Sequence, residues 1–420
     1  MLEQLLDPGR KAELLEIYGR HVSPGKCEFY RAVDLELVMG RREGIFFWDI
    51  DGRRLINCHC NGGVFNLGHS HPRVVAAMRE ALEQLDIGNH HLISAARALL
   101  AERLAACAPG DLQYVVFGTC GGEAIDLAIK LARAHTGRTK VISAQGGFHG
   151  HTGLALAAGD AQYREPFGPL APGFAQVPFN DLEAMEAAID SETAAVMLET
   201  VPATLGMPLP APGYLAGVRR LCDERGALLI IDEVQTGLGR TGRMWGIEHY
   251  DVVPDLMVTA KGLGGGLYPL AATLVRPMLE PFLRRHPFIH ISTTGGAELG
   301  CVVGLEVLAL VSEPGFLEGV QARAAFVAGR LAELVQRHDR WLAQVRQLGL
   351  MIGLVTTSEA YGPLISRLAV EEGLFCVYAN NDRKVVQFLL PLIVTQEQCA
   401  DAVDRLDRTF VRLATLMGGR

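Results

Sequence analysis

Ala227-Leu228-Leu229-Ile230-Ile231-Asp232-Glu233-Val234-Gln235-Thr236-Gly237 joins an apolar run to two acidic residues and a closing glycine. Consecutive apolar residues bounded by a turn signal predict a buried strand, with Asp232 at its carboxyl end. In open α/β sheets, ligands bind beyond the carboxyl ends of the strands. Because an aspartate at this place can also cap a turn, the segment indicates a binding edge only together with its neighbours.

Similar short apolar runs lie on both sides of this segment and alternate with helical patterns. A strand over 114–117 precedes a helix at about 123–134, and a second helical pattern covers about 214–225. This alternation predicts an α/β fold, with a large domain built on a mostly parallel mixed sheet. The remaining strand candidates are 141–142, 194–198, 256–258 and 271–275.

The pattern changes after about Thr294, where two long helical stretches precede several short strand candidates. That change predicts a smaller α+β domain at the C-terminal end of the chain. We therefore expect three parts: an N-terminal helix and strand segment over 1–50, a large domain carrying the binding edge over 51–295, and a small C-terminal domain over 296–420.

The charge balance disfavours two classes of partner. A net charge of -8 offers no attraction for nucleic acid or anionic lipid. No apolar stretch reaches the ~18 residues that a membrane span needs. The N-terminal residues have the pattern of an amphipathic helix and lack the apolar core of a signal peptide, so we expect a cytoplasmic location and neither nucleic acid nor membrane as a partner.

The cysteines give no sign of a disulfide framework or a zinc ribbon, because the nine are scattered and form no CxxC pair. Cys58-His59-Cys60 resembles a ligand cluster, but on a strand this spacing sends alternate side chains to opposite faces. His69 and His71 are more typical of turn and helix-start structure than of a metal pair. No metal site is expected.

Lys261 is the strongest candidate for covalent chemistry. It follows the strand pattern of 254–260, is flanked by glycines at 262 and 264–266, and is the only lysine between Lys140 and Lys384. Crowded glycines let a bulky ligand approach the backbone. A lysine at one strand end and Asp232 at another suit pyridoxal phosphate, since the lysine forms an imine and moves protons while the aspartate keeps the pyridine nitrogen protonated.

Three further turns supply what such a cofactor needs. Residues 117–123 place a Gly-rich turn between a strand and a helix, where backbone N–H groups face an anion. Residues 146–150 contain Phe148, an aromatic side chain placed to stack on a ring, and 292–296 supply hydroxyl groups. Each turn alone is weak evidence, but their combination favours one cofactor site in the large domain.

The sequence resembles the class III (ornithine/4-aminobutyrate type) pyridoxal-phosphate-dependent aminotransferases of fold type I over nearly its whole length. The resemblance implies an aminotransferase with an internal aldimine at Lys261 and Asp232 paired with the pyridinium nitrogen. It also implies a homodimer whose active sites lie at the subunit interface. The motifs that carry it are 48–52, 66–72, 120–123, 148–150, 232–242, 261–266 and 293–296.

The resemblance also assigns cofactor contacts to individual positions. Gln235 would lie near the ring hydroxyl, and Val234 and Phe148 would pack on opposite ring faces. Thr293 would reach the phosphate bound by the neighbouring subunit. The full implied cofactor set is Cys120, Gly121, Gly122, Phe148, His149, Asp232, Val234, Gln235, Lys261 and Thr293, with Cys120 standing where the family usually has serine.

The chain departs from the family pattern at four positions of the substrate pocket. Gly62 replaces a tyrosine, His151 an arginine, Thr204 a gating glutamate, and Gln387 the arginine that this glutamate gates. An arginine fork binds carboxylates bidentately, which a neutral glutamine cannot do. A relocated arginine, Arg240 or Arg383, is the competing explanation.

These departures predict a transaminase for an amine that is not held by an α-carboxylate near Gln387. Candidates are a polyamine, an amino sugar or another amine of specialised metabolism, with a donor such as glutamate and a keto acid or aldehyde completing the cycle. A pyridoxal-phosphate epimerase, racemase or aminomutase uses the same motifs and is the nearest alternative. A silent binding subunit, which need not keep Asp232 and Lys261, and a metal hydrolase using His69, His71 and Asp232 are more distant alternatives.

Overall fold

The computed structural model describes residues 2–418, and its strands are numbered here in chain order. They are β1 Met39–Glu43, β2 Phe46–Asp49, β3 Arg54–Asn57, β4 Tyr114–Gly118, β5 Lys140–Ala144, β6 Phe174–Val177, β7 Thr193–Glu199, β8 Leu228–Asp232, β9 Leu256–Thr259, β10 Ala271–Val275, β11 Leu342–Leu348, β12 Met351–Thr356, β13 Leu374–Phe375, β14 Val377–Ala379 and β15 Asp382–Gln387.

The helices are numbered in the same way. They are α1 Leu2–Leu5, α2 Lys11–His21, α3 Pro24–Ala32, α4 Cys60–Gly63, α5 Pro72–Leu82, α6 Ala95–Cys107, α7 Gly121–Thr136, α8 Gly153–Ala158, α9 Ala161–Arg164, α10 Leu182–Ala188, α11 Tyr214–Arg225, α12 Glu280–Arg285, α13 Glu298–Val311, α14 Phe316–Arg337, α15 Tyr361–Glu371 and α16 Gln396–Gly418. Short 3-10 helices span Pro8–Arg10, Glu165–Phe167, Gly246–Tyr250, Lys261–Gly264 and Pro277–Leu279.

The largest sheet has seven strands in the order β4-β10-β9-β8-β7-β5-β6. Strands β9, β8, β7, β5 and β6 are parallel, whereas β10 is antiparallel to both β4 and β9. The predicted α/β fold with a mostly parallel mixed sheet is confirmed. Every residue of β7 to β10 is buried, which explains their continuous apolar runs, since helices cover both faces of such a sheet.

Strand β8 feeds two cores, one on each face of the sheet. Leu228 and Ile230 pack in the core that contains α7, whereas Leu229 and Ile231 pack in the core that contains α11 and α13. This alternation follows from the two-residue period of a strand. Both faces of β8 are thereby fixed, and its last residue, Asp232, is held at the carboxyl edge.

The C-terminal part builds a separate core from α14, α15, α16 and the sheet β11-β12-β15-β14. Ile45, in the turn between β1 and β2, and Ile56 of β3 belong to the same core. A third sheet, β1-β2-β3-β13, pairs β13 in parallel with β3 and so joins the two ends of the chain. The division at 50 and 295 stays a prediction; α13, beyond residue 295, shares its core with the central sheet.

Two properties of residues 2–418 bear on possible partners. No single helix in this part of the chain is both long and apolar enough to span a membrane; α13 and α14 meet the length and composition criteria only together, as a pair bent by 65°. In the same residues, no group of three or more His, Cys, Asp or Glu side chains is arranged to hold a metal ion.

Candidate active site

A cavity of about 450 Å³ opens at the carboxyl edge of the central sheet. It is lined by the turn between β4 and α7, by 148–150, by the ends of β7 and β8, and by Ala260, Lys261 and 266–270. The edge that the sequence predicted as a binding region therefore carries the cavity, because parallel strands bring their carboxyl ends to one side.

Lys261 follows β9 in a left-handed conformation, with φ of 46°, which a non-glycine residue adopts only where surrounding structure holds it. Its side chain is half-buried in the cavity, and Nζ donates to Gln235 Oε1 at 3.0 Å. Burial lowers the pKa of Lys261, against the opposing effects of Asp232 and Glu199. A lowered pKa favours the unprotonated amine, the form that reacts with a carbonyl group.

Asp232 and His149 form a buried pair, with 2.9 Å between Oδ2 and Nδ1. The other carboxylate oxygen, Oδ1, accepts a hydrogen bond from the Val234 amide at 3.0 Å. Burial alone would lower the pKa of His149, but the hydrogen bond and the charge of Asp232 raise it above its usual range. The result is a carboxylate of fixed orientation facing the cavity.

The turn before α7 forms a cradle of small residues. Cys120 is the N-cap of this helix and makes no capping hydrogen bond with its side chain. A Cβ added to Gly122 would lie 2.8 Å from Thr152 Oγ1, and one on Gly121 would lie 3.3 Å from Val234 Cγ2. The first N–H groups of a helix lack intrahelical partners, so this cradle presents donors and a positive helix end to an anion.

Phe148 and Val234 both line the cavity, from different segments. The Phe148 ring contacts His151 and Tyr163 edge-on, with centroids 5.1 Å and 5.5 Å away. Its backbone amide donates to Glu199 Oε1 at 3.0 Å. These contacts fix the ring at the cavity wall, and Val234 stands beside the glycine cradle.

The four predicted substrate positions differ in how close they lie to the cavity. Thr204 lines the cavity and donates to the Gly146 carbonyl at 3.1 Å. A Cβ on Gly62 would lie 3.2 Å from Lys261 Nζ, so this glycine borders the reactive amine. His151 is exposed beside Phe148, and the buried Gln387 ends β15 outside the residues that line the cavity.

Thr293 is exposed and lies outside the cavity formed by the described residues of this chain. The resemblance placed it against the phosphate of a neighbouring subunit rather than in its own pocket. That assignment stays a prediction.

Glu199 and Tyr268 are cavity residues that the sequence patterns did not predict. Glu199 ends β7 directly beside Asp232 in the parallel ladder. The signal for it was present, since an acidic residue closes the apolar run of 194–199 as Asp232 closes its own. Tyr268 also lines the cavity, and its ring lies 2.7 Å from where a Cβ on Gly300 would stand. No local signal distinguishes this tyrosine, because its position depends on packing against α13.

Pyridoxal phosphate fits this set of residues. The cavity combines an amine, a carboxylate held by an imidazole and a small-residue cradle at a helix start. It also leaves His149 Nε2 and Gln235 Nε2 without a hydrogen-bond partner among the described residues. Buried polar atoms rarely stay unpaired in proteins, so these orphaned atoms are consistent with a polar ligand at this place.

Of the three residues considered for a metal hydrolase, His69 and Asp232 have other partners. His69 Nε2 lies 3.0 Å from Asn57 Nδ2, and Asp232 is paired with His149. Burial, followed by the charge of Arg42, lowers the pKa of His69 to about 4. His69 is therefore a neutral acceptor inside the fold.

Comparisons with known proteins identify one family. The family model described as Aminotransferase class-III matches residues 30–410. An uncharacterized aminotransferase of Archaeoglobus fulgidus is 58% identical over 388 residues, which cover 92% of this chain and 91% of the relative. The crystal structure of ornithine aminotransferase from Toxoplasma gondii ME49 is 28% identical, with a TM-score of 0.85 over 90% of this chain and 91% of that chain. Taurine:2-oxoglutarate aminotransferase from Bifidobacterium kashiwanohense, in complex with PLP and glutamate, is 26% identical, with a TM-score of 0.84 over 90% and 93% of the two chains.

Proposed function

The chain belongs to the class III aminotransferases, and we propose that within this family it uses an amine that carries no carboxylate anchored near Gln387. Membership makes it a pyridoxal-phosphate-dependent transaminase with amine and keto-acid substrates. The observation that carries the substrate class is the character of the cavity wall: among its described lining residues there is no arginine.

Lys261, Asp232 and His149 provide the groups that transamination needs. Pyridoxal phosphate, when bound, supplies an aldehyde for the amine and a ring that accepts electrons. Lys261 Nζ would hold the cofactor and then move a proton between carbon atoms of the substrate. Asp232 would stabilise a proton on the ring nitrogen, and His149 holds its Oδ2 in place at 2.9 Å.

The remaining contacts would orient the ring and the phosphate. Cys120, Gly121 and Gly122 offer backbone donors at the start of α7. Phe148 and Val234 would enclose the ring from two sides, and Gln235 would face its hydroxyl group. Each of these assignments is supported by the place of the residue in the cavity wall.

The two arginines that could replace a lost anchor have other surroundings. Arg240 is fully buried and donates to the carbonyls of Leu350 and Leu390 and to Asn66 Oδ1, at 3.1, 2.6 and 2.6 Å. Arg383 is exposed, with its guanidinium carbon 5.6 Å from the centre of the Tyr378 ring. Neither lines the cavity, which supports a substrate recognised without a carboxylate clamp.

The neighbourhood of Gln387 is apolar. In its sheet Gln387 pairs with Gly353 of β12 and Val377 of β14, and Leu389 follows two residues later. Leu389 packs with Met207, and with Val201 and Ala203 of the cavity wall. This setting favours an uncharged part of the substrate, as in a polyamine segment between amines, an amino sugar or another specialised-metabolite amine.

A homodimer is supported by an apolar surface formed by two loops. Ile93 is fully exposed, and Leu92 and Phe288 are 68% and 65% exposed. The rings of His91 and Phe288 are 6.1 Å apart, so the two loops form one patch. Exposed apolar patches of this kind mark protein interfaces. We propose that a second copy covers the patch, which would bring Thr293, five residues after Phe288, to the partner's active site.

A cytoplasmic location is supported by the cysteines, all nine of which are free, six of them buried. Unpaired cysteines are typical of proteins kept in reducing compartments. The net charge of -8 likewise favours small-molecule substrates over nucleic acid.

The test is the absorbance spectrum of the purified protein with single amines and no keto acid. Loss of the visible cofactor band on adding a polyamine or an amino sugar, with release of its carbonyl product, supports the proposal. Efficient turnover of ornithine or 4-aminobutyrate with 2-oxoglutarate would overturn the substrate class. A band that persists while the substrate changes configuration would indicate an epimerase.

A further inference from the structure

Two carboxyl groups lie side by side at the floor of the cavity. Glu199, the last residue of β7, is the direct neighbour of Asp232, the last residue of β8. Both are buried, at 9% and 5% exposure, and both line the cavity. Two neighbouring carboxyl groups shielded from water resist being ionised together. The charge of Asp232 therefore acts against ionisation of Glu199.

Both carboxyl groups hold the same two-residue segment. Asp232 Oδ2 contacts the His149 ring, and Glu199 Oε1 accepts from the Phe148 amide at 3.0 Å. Glu199 Oε2 also accepts from the Ala203 amide at 3.4 Å, which links the segment to the loop after β7. Glu199 thus fixes the backbone from which Phe148 and His149 project.

The free nitrogen of His149 and Glu199 face a common small space. His149 Nε2 has no hydrogen-bond partner among the described residues. A Cβ added to Gly147 would lie 3.5 Å from this nitrogen and 3.6 Å from Glu199 Oε1. The glycine leaves open the space between an imidazole and a carboxyl group.

We propose that Glu199 is a positioning residue for the cofactor: it fixes the Phe148–His149 segment and sets the charge of the Asp232–His149 pair. The proposal rests on the cofactor of the function above and is independent of the substrate class. When Glu199 ionises, its charge favours the protonated imidazole and a proton on any base that faces Asp232. Relative to a protein with an uncharged residue at 199, the affinity of the site for a cofactor with a protonated ring nitrogen would therefore increase as the pH rises.

The surroundings of Glu199 bring its ionisation close to neutral pH. Burial raises the pKa of Glu199 to about 7; His149 acts to lower it, Asp232 to raise it and Lys261 to lower it. These three groups and the two amides are its polar surroundings. Glu199 is consequently neutral in mildly acidic solution and charged in mildly alkaline solution.

The experiment compares the wild-type protein with Glu199→Gln, which keeps the shape and the acceptor for Phe148 but cannot ionise. The dissociation constant of pyridoxal phosphate is measured on each apoprotein by quenching of tryptophan fluorescence, from about pH 6 to about pH 8.5. The ratio of the two constants is expected to rise on the order of tenfold in favour of the wild type across this range, as a charge at short distance in a protein site requires.

Glu233→Gln is the matched control. Glu233 is also buried and next to Asp232 in sequence, but its carboxyl group is held by Thr200, Thr236 and the amides of Gly246 and Ile247. Its pH curve should run parallel to that of the wild type. Parallel curves for wild type and Glu199→Gln, or the same change in Glu233→Gln, overturn the proposal.

A measurement on the wild type and Glu233→Gln covers the case in which Glu199→Gln does not fold. Infrared spectra of the apoprotein should show a protonated carboxyl group that disappears near neutral pH and is retained in Glu233→Gln. Absence of such a group overturns the proposal. Loss of pyridoxal-phosphate binding in every protein, wild type included, would instead contradict the proposed function.

Discussion

Gly62 lies next to the amine of Lys261: a Cβ on Gly62 would lie 3.2 Å from Lys261 Nζ and 3.3 Å from Gln235 Oε1. Gly62 has φ of 64° and is part of a left-handed run from Cys60 to Gly63. Glycine is favoured at this position for two reasons: the backbone is left-handed, and a side chain would occupy the space beside the Lys261 amine.

We expect Gly62→Ala to slow the first half-reaction about tenfold, because the added methyl crowds Nζ and the left-handed backbone costs about 1–2 kcal/mol. Single-turnover spectra with a saturating amine measure the rate. Gly329→Ala is the control, since a Cβ at this helical position meets nothing within 4 Å. An unchanged rate in Gly62→Ala would show that the space beside Nζ is not limiting.

Lys261→Ala should abolish covalent attachment of the cofactor and reduce turnover by at least ~10²–10⁴-fold, the usual contribution of a general base. Mass spectrometry after borohydride reduction should find the added mass on Lys261 in the wild type and nowhere in the variant. Lys140→Ala, at a lysine held by Asp190 and the Ala188 carbonyl, serves as the control. Reduction of the cofactor onto another lysine in the wild type would contradict the assignment.

Gln387→Arg should restore recognition of a carboxylated amine. A charge-assisted bond contributes about 1.5–3 kcal/mol, so we expect roughly a tenfold or larger gain in kcat/KM for 4-aminobutyrate. The gain should grow when Thr204→Glu is added, because the family resemblance pairs a glutamate at position 204 with an arginine at position 387. Equal gains for a carboxylate-free amine of the same length would mean that the arginine acts on something other than the carboxylate.

Arg240→Met should destabilise the fold while leaving the cavity lining intact. Three buried acceptors lose their donor, and unsatisfied buried groups cost about 1–3 kcal/mol each, so we expect a loss of at least about 3 kcal/mol. Thermal and urea unfolding provide the measurement. Arg220→Met, which breaks an exposed pair with Glu224, should cost less than about 1 kcal/mol. Similar losses in the two variants would argue against a structural role for Arg240.

Acid should destabilise the protein through His69, whose pKa falls from 6.5 to about 4 on folding. The unfolded chain then binds a proton at a higher pH than the folded chain does. The contribution of His69 to the free energy of unfolding is fully present above about pH 6.5 and is lost as the pH falls toward 4. His69→Gln should flatten the fall in free energy of unfolding over this range. A slope identical to that of the wild type would assign the acid sensitivity to other groups.

The central sheet and the two principal side chains could be predicted because their signals are local. Apolar runs ending at Asp232 and before Lys261 carry their own strand ends, and parallel packing brings those ends together. The class III family and its cofactor, predicted from motifs along the chain, are confirmed by the family model and the relative from Archaeoglobus fulgidus.

What the sequence left undetermined depends on long-range packing. The sequence is compatible with Arg240 as a substrate anchor. The structure shows instead that its guanidinium group donates to three acceptors inside the fold. Glu199 carries the same strand-end signal as Asp232, but no local pattern indicates that its strand pairs with that of Asp232. The exposure of a charge and the partner of a carboxyl group are set by segments far away in the chain, which local patterns do not encode.

The pairing of β13 with β3 has a consequence for biosynthesis. Chains leave the ribosome N-terminal end first. Ile56 and its strand emerge early, yet the strand that covers their edge contains Leu374. The edge of β3 therefore stays unpaired until most of the polypeptide, including β13, has been synthesised. Translation that stops short of this point would release chains with an open strand edge, a feature that promotes aggregation.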